Sequence, residues 1–259
     1  AYPAGTVSGG PMYYMTKGFK ERGLPGGAIM AILFCVFTIL GALGGGNMFQ
    51  ANQAHAQLSG VLGDYPGWIT GLILAGVTFA VIVGGIKSIA RVTEKVVPFM
   101  GIFYVVVSLI ILVMNWDMIG WAFGQIFLGA FTGLGVVGGF TGALIQGFRR
   151  AAFSNEAGIG SAAIAHSAVR TKEPVTEGYV ALLEPFIDTV VICTMTALVI
   201  VITGVLALDP ETGLYIWNAE AGRIATEGDV SGVQLTSAAY AQALPWFPVL
   251  LAVAVVLFA

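Results

Sequence analysis

Three amide side chains recur at a spacing of three residues inside an otherwise apolar stretch of this sequence. They are Asn47, Gln50 and Gln53, and on a helix this spacing places them close together. An amide can offer its carbonyl oxygen to a cation or an ammonium group and its NH₂ group to a carboxylate. Hydrogen bonding between packed helices is the alternative role. Both roles stay open for Asn47 and Gln50, whereas Gln53 and the nearby His55 fit the structural role better.

A second polar group interrupts the small-residue stretch around residues 147–161. Ser154, Asn155 and Glu156 can cap a new helical segment, while Gly158 and Gly160 permit non-helical torsions at low cost. A helix that is broken inside a transporter exposes backbone N–H and C=O groups to bound substrate and ions. An ordinary loop at the end of a membrane span explains the same residues, so the pattern alone leaves both interpretations open.

Two carboxylates, Glu184 and Asp188, lie four residues apart in an apolar stretch and therefore share a helix face. Two buried carboxylates this close are not both ionised without a cation or a basic partner. They could couple to Na⁺ or H⁺. The preferred interpretation is a structural pairing with an arginine or with backbone amides of the neighbouring broken span.

The composition predicts that helices in a membrane position these groups. The sequence is 57% hydrophobic and 10% charged, and its mean hydropathy is +0.89, whereas soluble domains carry about 25% charged residues. A span needs about 20 apolar residues. We therefore predict an all-α integral membrane protein with about five complete spans, one of them discontinuous, and the start of a sixth. The spans cover about residues 26–58, 67–85, 90–114, 135–168 and 174–203, the sixth begins near 246, and short helices are expected at 116–130 and 232–244.

Basic residues alternate from loop to loop, which gives the orientation. Ten of the eleven Lys and Arg residues fall in the loops at 15–25, 86–95 and 149–173. Loops rich in Lys and Arg stay in the cytoplasm. The sequence thus predicts a multi-pass protein of the cell (plasma or inner) membrane with these three loops inside and the acidic loop at 204–245 outside.

Other classes of protein are poorly supported. The HExxH, P-loop and GxSxG motifs are absent, so we predict no enzyme and no organic cofactor. No basic patch with interleaved aromatics indicates nucleic acid. The final apolar stretch ends without flanking charge, and we expect the chain to be an internal fragment.

One segment resembles a known family. Residues 153–166, FSNEAGIGSAAIAH, resemble the hallmark stretch of the alanine or glycine:cation symporters, also called the sodium:alanine symporters. Residues 9–14, 46–52, 92–100 and 186–198 are similar to other segments of that family, in the same order.

The resemblance implies a LeuT-type bundle of the APC superfamily, with ten core helices in two inverted halves. Residues 1–259 would form part of a single transmembrane transporter domain, namely core helices three to seven and the start of eight. The family couples Na⁺ to uptake of alanine or glycine by alternating access, so the expected partners are a small amino acid, Na⁺ and the lipid bilayer. The first core helix and most of the eighth would be missing, and with them about half of the binding site.

The resemblance also assigns roles to residues. Asn47 and Gln50 would line the substrate pocket, and the bulk of Phe153 would favour a small amino acid. The break would supply backbone groups and a cation ligand from Ser154, Asn155, Glu156 and Gly158.

Two alternatives stay open. The first is a proton-coupled or exchange-type amino-acid transporter of the same fold, in which Glu156, Glu184 and Asp188 carry protons. The second is a channel or a membrane scaffold. A channel is expected to show repeated polar faces along a pore, whereas here the polar residues cluster at a few short places. A scaffold leaves the break after Phe153 unexplained.

Overall fold

The computed structural model describes residues 9–131, 144, 160–169, 171–207, 216–218, 223–226 and 230–258. Helices dominate this part of the chain. In chain order they are α1 Pro11–Glu21, α2 Gly27–Gly41, α3 Gln50–Leu62, α4 Gly67–Ile82, α5 Ile86–Met114, α6 Ile119–Phe131, α7 Ala162–His166, α8 Pro174–Pro185, α9 Thr194–Ile202, α10 Val233–Ala243 and α11 Phe247–Phe258.

Several of these helices join into longer ones. Ala42–Phe49 connects α2 to α3, and Phe186–Cys193 connects α8 to α9, each as eight residues of π-helix. Among the described residues, three helices are long and apolar enough to cross a membrane: Gly27–Leu62, Ser88–Met114 and Pro174–Ile202. They confirm the spans predicted at 26–58, 90–114 and 174–203.

The remaining predicted spans are shorter or lie outside the described residues. Helix α4 has 16 residues and is about 24 Å long at 1.5 Å per residue, less than the roughly 30 Å of a bilayer core. The described part of α11 is also short and apolar. Of the predicted broken span at 135–168, the structure describes residue 144 and residues 160–168, which include α7. The short helices predicted at 116–130 and 232–244 are present, as a 3₁₀ turn Trp116–Met118 followed by α6, and as α10.

The long helices carry large apolar side chains on their outer faces. Phe37, Phe79 and Ile102 are 66%, 71% and 66% exposed. A soluble protein rarely leaves contiguous apolar surface of this extent in water. Together with the composition, these faces identify a membrane protein whose helices are solvated by lipid.

The helices divide into two packing units. The first comprises Ala1–Asn47 with Gln146–Ile192. In it, α1 packs on α2 and α7 contacts α8. Close approach of α1 and α2 depends on Gly27, because a Cβ atom there would lie 2.6 Å from Phe19 Cβ and 2.8 Å from the Met15 carbonyl oxygen.

The second unit comprises Met48–Ile145 with Cys193–Ala259. An aromatic column runs through its core. The Tyr240 ring stacks on Phe247 with centroids 4.5 Å apart and lies 5.5 Å from the ring of Tyr104. The Tyr240 hydroxyl lies 2.6 Å from Ser108 Oγ. The Tyr104 hydroxyl lies 2.6 Å from Oγ1 of Thr196. The column therefore ties α5, α9, α10 and α11 together through rings and buried hydroxyl groups.

Replacing Tyr240 by phenylalanine separates the contribution of the ring stack from that of the buried hydroxyl group. The ring stack survives while the Ser108 hydroxyl loses a buried partner, which costs about 1 kcal/mol of stability. Thermal unfolding of the purified protein in detergent measures the loss. An unchanged melting temperature would show that the Tyr240 hydroxyl contributes nothing to this core.

The described residues also include one short β-hairpin-like pair, which the all-α prediction did not contain. Trp217–Asn218 and Arg223–Ile224 form a two-stranded antiparallel pair in the loop before α10, and Leu206 bridges to Thr226 beside it. Aromatic and β-branched residues favour this conformation, but two-residue strands are too short to produce a recognisable alternation in the sequence.

Candidate functional site

The two π-helical segments contain two of the predicted site residues. Asn47 lies in Ala42–Phe49 and Asp188 lies in Phe186–Cys193. π-Helical turns inside α-helices frequently mark functional sites, because the wider winding displaces backbone carbonyls. Local sequence explains both interruptions: the glycines at 44–46 weaken regular winding, and Pro185 has no N–H to give to the preceding turn.

Asn47 stabilises its own π-helical turn. Its Nδ2 donates to the carbonyl oxygen of Ala42 at 2.7 Å, five residues earlier. Gln50 begins α3, and its side chain is exposed. The structure thus places both predicted substrate-binding amides at or immediately after a point where helix winding changes.

The next amides along α3 join helices of the second unit. Gln53 Oε1 accepts the N–H of Val233 at 2.9 Å, which satisfies a free amide at the beginning of α10. Gln57 is buried, and its Nε2 donates to Ser237 Oγ at 2.9 Å and to the Pro248 carbonyl at 3.0 Å. The structural interpretation of Gln53 is confirmed. Gln57 was missed, although it continues the same helix face.

His55 also has a structural environment, as predicted. Its Nδ1 lies 3.1 Å from Thr70 Oγ1 and its Nε2 lies 3.5 Å from Ser59 Oγ. The Tyr65 ring meets it edge-on at 5.0 Å, and the Tyr65 hydroxyl lies 2.7 Å from Thr70 Oγ1. This network fastens α3 to the beginning of α4.

A histidine lies between two carboxylates of α8. His166 Nδ1 lies 2.5 Å from Glu177 Oε1, and its Nε2 lies 3.9 Å from Glu184 Oε2. The sequence predicts an arginine or a backbone amide of the neighbouring broken span as the structural partner of Glu184, and that pairing stays a prediction. Within the described residues, His166 is a basic group close to Glu184. Asp188 follows four residues later and is half-buried. We call His166, Glu177 and Glu184 the acid–histidine cluster.

The sequence shows that the two acids of the acid–histidine cluster share a helix face, but it does not show that the histidine joins them. Glu177 and Glu184 are seven residues apart, two helical turns, and so occupy one face of α8. His166 belongs to the short helix α7, and only the folded chain brings it to that face. Because the cluster combines two acids with one imidazole, it is rich in oxygen atoms and has excess negative charge when the carboxylates are ionised.

Replacing His166 by alanine is expected to destabilise the contact between α7 and α8. The hydrogen bond to Glu177 involves an ionisable partner, and such bonds contribute about 1.5–3 kcal/mol. Asparagine keeps a donor near the Nδ1 position and should recover part of the loss. Thermal unfolding of both variants checks this, and equal stability of His166→Ala and the unchanged protein would contradict the inferred role.

Five predicted residues lie outside the part of the chain that the structure describes: Phe153, Ser154, Asn155, Glu156 and Gly158. Their roles stay predictions. The described chain resumes at Gly160, whose φ of +79° is a left-handed conformation that favours glycine. A Cβ atom at Gly160 would face Phe34 and Pro11 at 3.5 and 3.7 Å.

No group of three His, Cys, Asp or Glu side chains is arranged to hold a metal ion within the described ranges.

Comparison with known proteins identifies one family and several relatives within it. Residues 2–259 match the sodium:alanine symporter family. "Sodium/alanine symporter AgcS" of Methanococcus maripaludis is 39% identical over 98% of this chain and 52% of its own length. "Putative sodium/proton-dependent alanine carrier protein YrbD" of Bacillus subtilis is 32% identical over 94% of the chain and 48% of its own length. "Probable sodium/glutamine symporter GlnT" of Bacillus subtilis is 36% identical over 74% of the chain and 39% of its own length. The chain spans about half the length of the curated relatives it matches.

Proposed function

Because this chain belongs to the sodium:alanine symporter family, as its hallmark residues predicted, we propose that the protein carries alanine or glycine into the cell together with Na⁺. The match over residues 2–259 is the observation that carries the proposal. The family is one of symporters rather than enzymes, which agrees with the absence of enzyme motifs. Transport proceeds by alternating access in a LeuT-type bundle, of which residues 1–259 form part of a single transporter domain.

Features of the described helices support this function. Interrupted helices bind ions and substrates in transporters because they free backbone groups at membrane depth, and the interruptions here contain Asn47 and Asp188. Charged groups within spans are costly and mark ion pathways. In the proposal the substrate contacts are Asn47, Gln50, Phe153, Ser154 and Gly158, and the cation contacts are Asn155, Glu156, Glu184 and Asp188.

Proton coupling is the second candidate, because the relative YrbD is described as a putative carrier that depends on sodium or protons. The test is uptake of labelled alanine into membrane vesicles that contain the protein as the cell makes it. We expect a sodium gradient to accelerate uptake at constant pH. Uptake that follows a pH gradient and ignores sodium would replace the proposal by the proton-coupled alternative.

Gln50 provides a test of the substrate pocket. Replacing it by alanine removes an amide that would bind the amino or carboxylate group of the substrate, and the loss of such a hydrogen bond to a charged group weakens binding about tenfold or more. Exposed Gln234 of α10 provides a matched control, since Gln234→Ala removes the same side chain outside the proposed pocket. Equal half-saturation constants for alanine in both variants would exclude Gln50 from the site.

The proposed location is the cell membrane, with the basic loops at 15–25, 86–95 and 149–173 in the cytoplasm. Labelling of single cysteines introduced into these loops by a reagent that cannot cross the membrane tests the orientation. Labelling is expected only after the cells are opened.

A further inference from the structure

Helix α1 is a short amphipathic helix placed beside the beginning of a membrane span. It ends at Glu21, and the apolar helix Gly27–Leu62 begins six residues later. Gly23 and Gly26 adopt positive φ values of +67° and +92°, which lets the chain reverse sharply between the two helices. Because Gly27 lies against Met15 and Phe19, α1 is held against the first turn of the span.

The other face of α1 carries an excess of positive charge. Lys17 and Lys20, together with Arg22 just after the helix, are exposed, and Glu21 is the single acid among them. A shallow hollow beside Lys17 is lined by Tyr13, Tyr14 and Glu21 among others. Tyrosine is enriched at membrane interfaces because its ring sits among headgroups while its hydroxyl reaches water.

We propose that this outward face, defined by Tyr14, Lys17, Lys20 and Arg22, binds the phosphate headgroups of anionic phospholipids. Ammonium and guanidinium groups form strong charge-assisted hydrogen bonds to phosphate oxygens. Basic residues next to a span attract anionic lipid, and each contributes about fivefold in affinity. The bilayer is the favoured occupant over a soluble polyanion because the adjacent span holds α1 at its surface. This inference rests on membrane insertion and is independent of the transported substrate.

The test uses the protein as the cell makes it, purified in neutral detergent and titrated with phosphatidylglycerol or phosphatidylcholine. Native mass spectrometry then measures how much of each lipid stays bound. We expect the unchanged protein to prefer phosphatidylglycerol. The triple variant Lys17→Gln, Lys20→Gln, Arg22→Gln should bind it about tenfold or more weakly, and added salt should narrow the difference.

Two control variants distinguish the effect of lost charge from that of a disturbed fold. The variant Lys17→Arg, Lys20→Arg, Arg22→Lys keeps the charge and should bind phosphatidylglycerol within about twofold of the unchanged protein. Glu21→Gln removes the opposing charge and should bind it more tightly. The proposal is overturned if the glutamine variant retains phosphatidylglycerol as well as the unchanged protein does. It is also overturned if the charge-dependent ligand proves to be a soluble polyanion such as heparin, with no preference between the two lipids.

Discussion

Sodium-driven alanine uptake is expected to fall at least tenfold when Glu184 is replaced by glutamine and Asp188 by asparagine together. Both side chains are half-buried on the long apolar helix Pro174–Ile202. In the proposed cation site these carboxylates attract Na⁺, and a charge in a span otherwise costs roughly 2.5–3.5 kcal/mol on insertion scales. The glutamine and asparagine replacements have nearly the same shape but no charge, so they no longer attract the cation. When two ligands are coupled, binding of one typically changes the affinity for the other by about 5–150-fold. Loss of the coupling ion should therefore lower alanine uptake close to the rate measured without a sodium gradient.

Initial uptake rates over a range of sodium concentrations measure this effect. Glu173→Gln serves as the matched control, because Glu173 is an exposed acid just before α8, and it should transport normally. Single replacements of Glu184 and Asp188 then show which carboxylate matters more. An unchanged sodium dependence in the double variant would remove both residues from the cation site.

A strong loss of stability is expected when Gly232 is replaced by valine. Gly232 has φ +59° and ψ −133°, a conformation that costs a β-branched residue about 1–3 kcal/mol. A Cβ atom there would also clash with Gln53 Oε1. The Gln53 side chain can move aside only by releasing the N–H of Val233, which adds about 1 kcal/mol. We therefore expect a total loss of about 3 kcal/mol of stability and a weaker attachment of α10 to α3.

Gly60 offers a control on the same α3 helix that carries Gln53. A Cβ atom at Gly60 would meet nothing within 4 Å, so Gly60→Ala should be neutral or slightly stabilising because alanine favours helix. Thermal unfolding in detergent compares the two variants. If Gly232→Val unfolded at the same temperature as Gly60→Ala, the attachment of α10 through Gln53 would be of no energetic importance.

The spans could be predicted from the sequence because their signal is local. Length, hydropathy and glycine or proline boundaries act within one helix, and they located the long helices to within a few residues, as at 90–114 for Ser88–Met114. The separation of Glu184 and Asp188 was likewise readable as one helix face. Where a feature depends only on helical periodicity, sequence reasoning is reliable.

Features that depend on distant residues could not be predicted in the same way. Ser108 and Tyr240 are 132 residues apart and Gln57 and Pro248 are 191 apart, so no local pattern relates them. His166 and Glu184 belong to different helices, so helical periodicity alone does not reveal that they lie close together. The π-helical winding had a local cause in the glycines at 44–46 and in Pro185, yet those residues predict a weakened helix without specifying how it winds.

Alanine-driven uptake of radioactive sodium into vesicles tests the central claim of sodium-coupled symport most directly. Coupling between two ligands is reciprocal in binding free energy, so an alanine gradient should draw sodium inward in the absence of any sodium gradient. We predict sodium uptake that saturates with alanine and is lost in the Glu184→Gln, Asp188→Asn double variant. Alanine transport without accompanying sodium uptake would contradict the account.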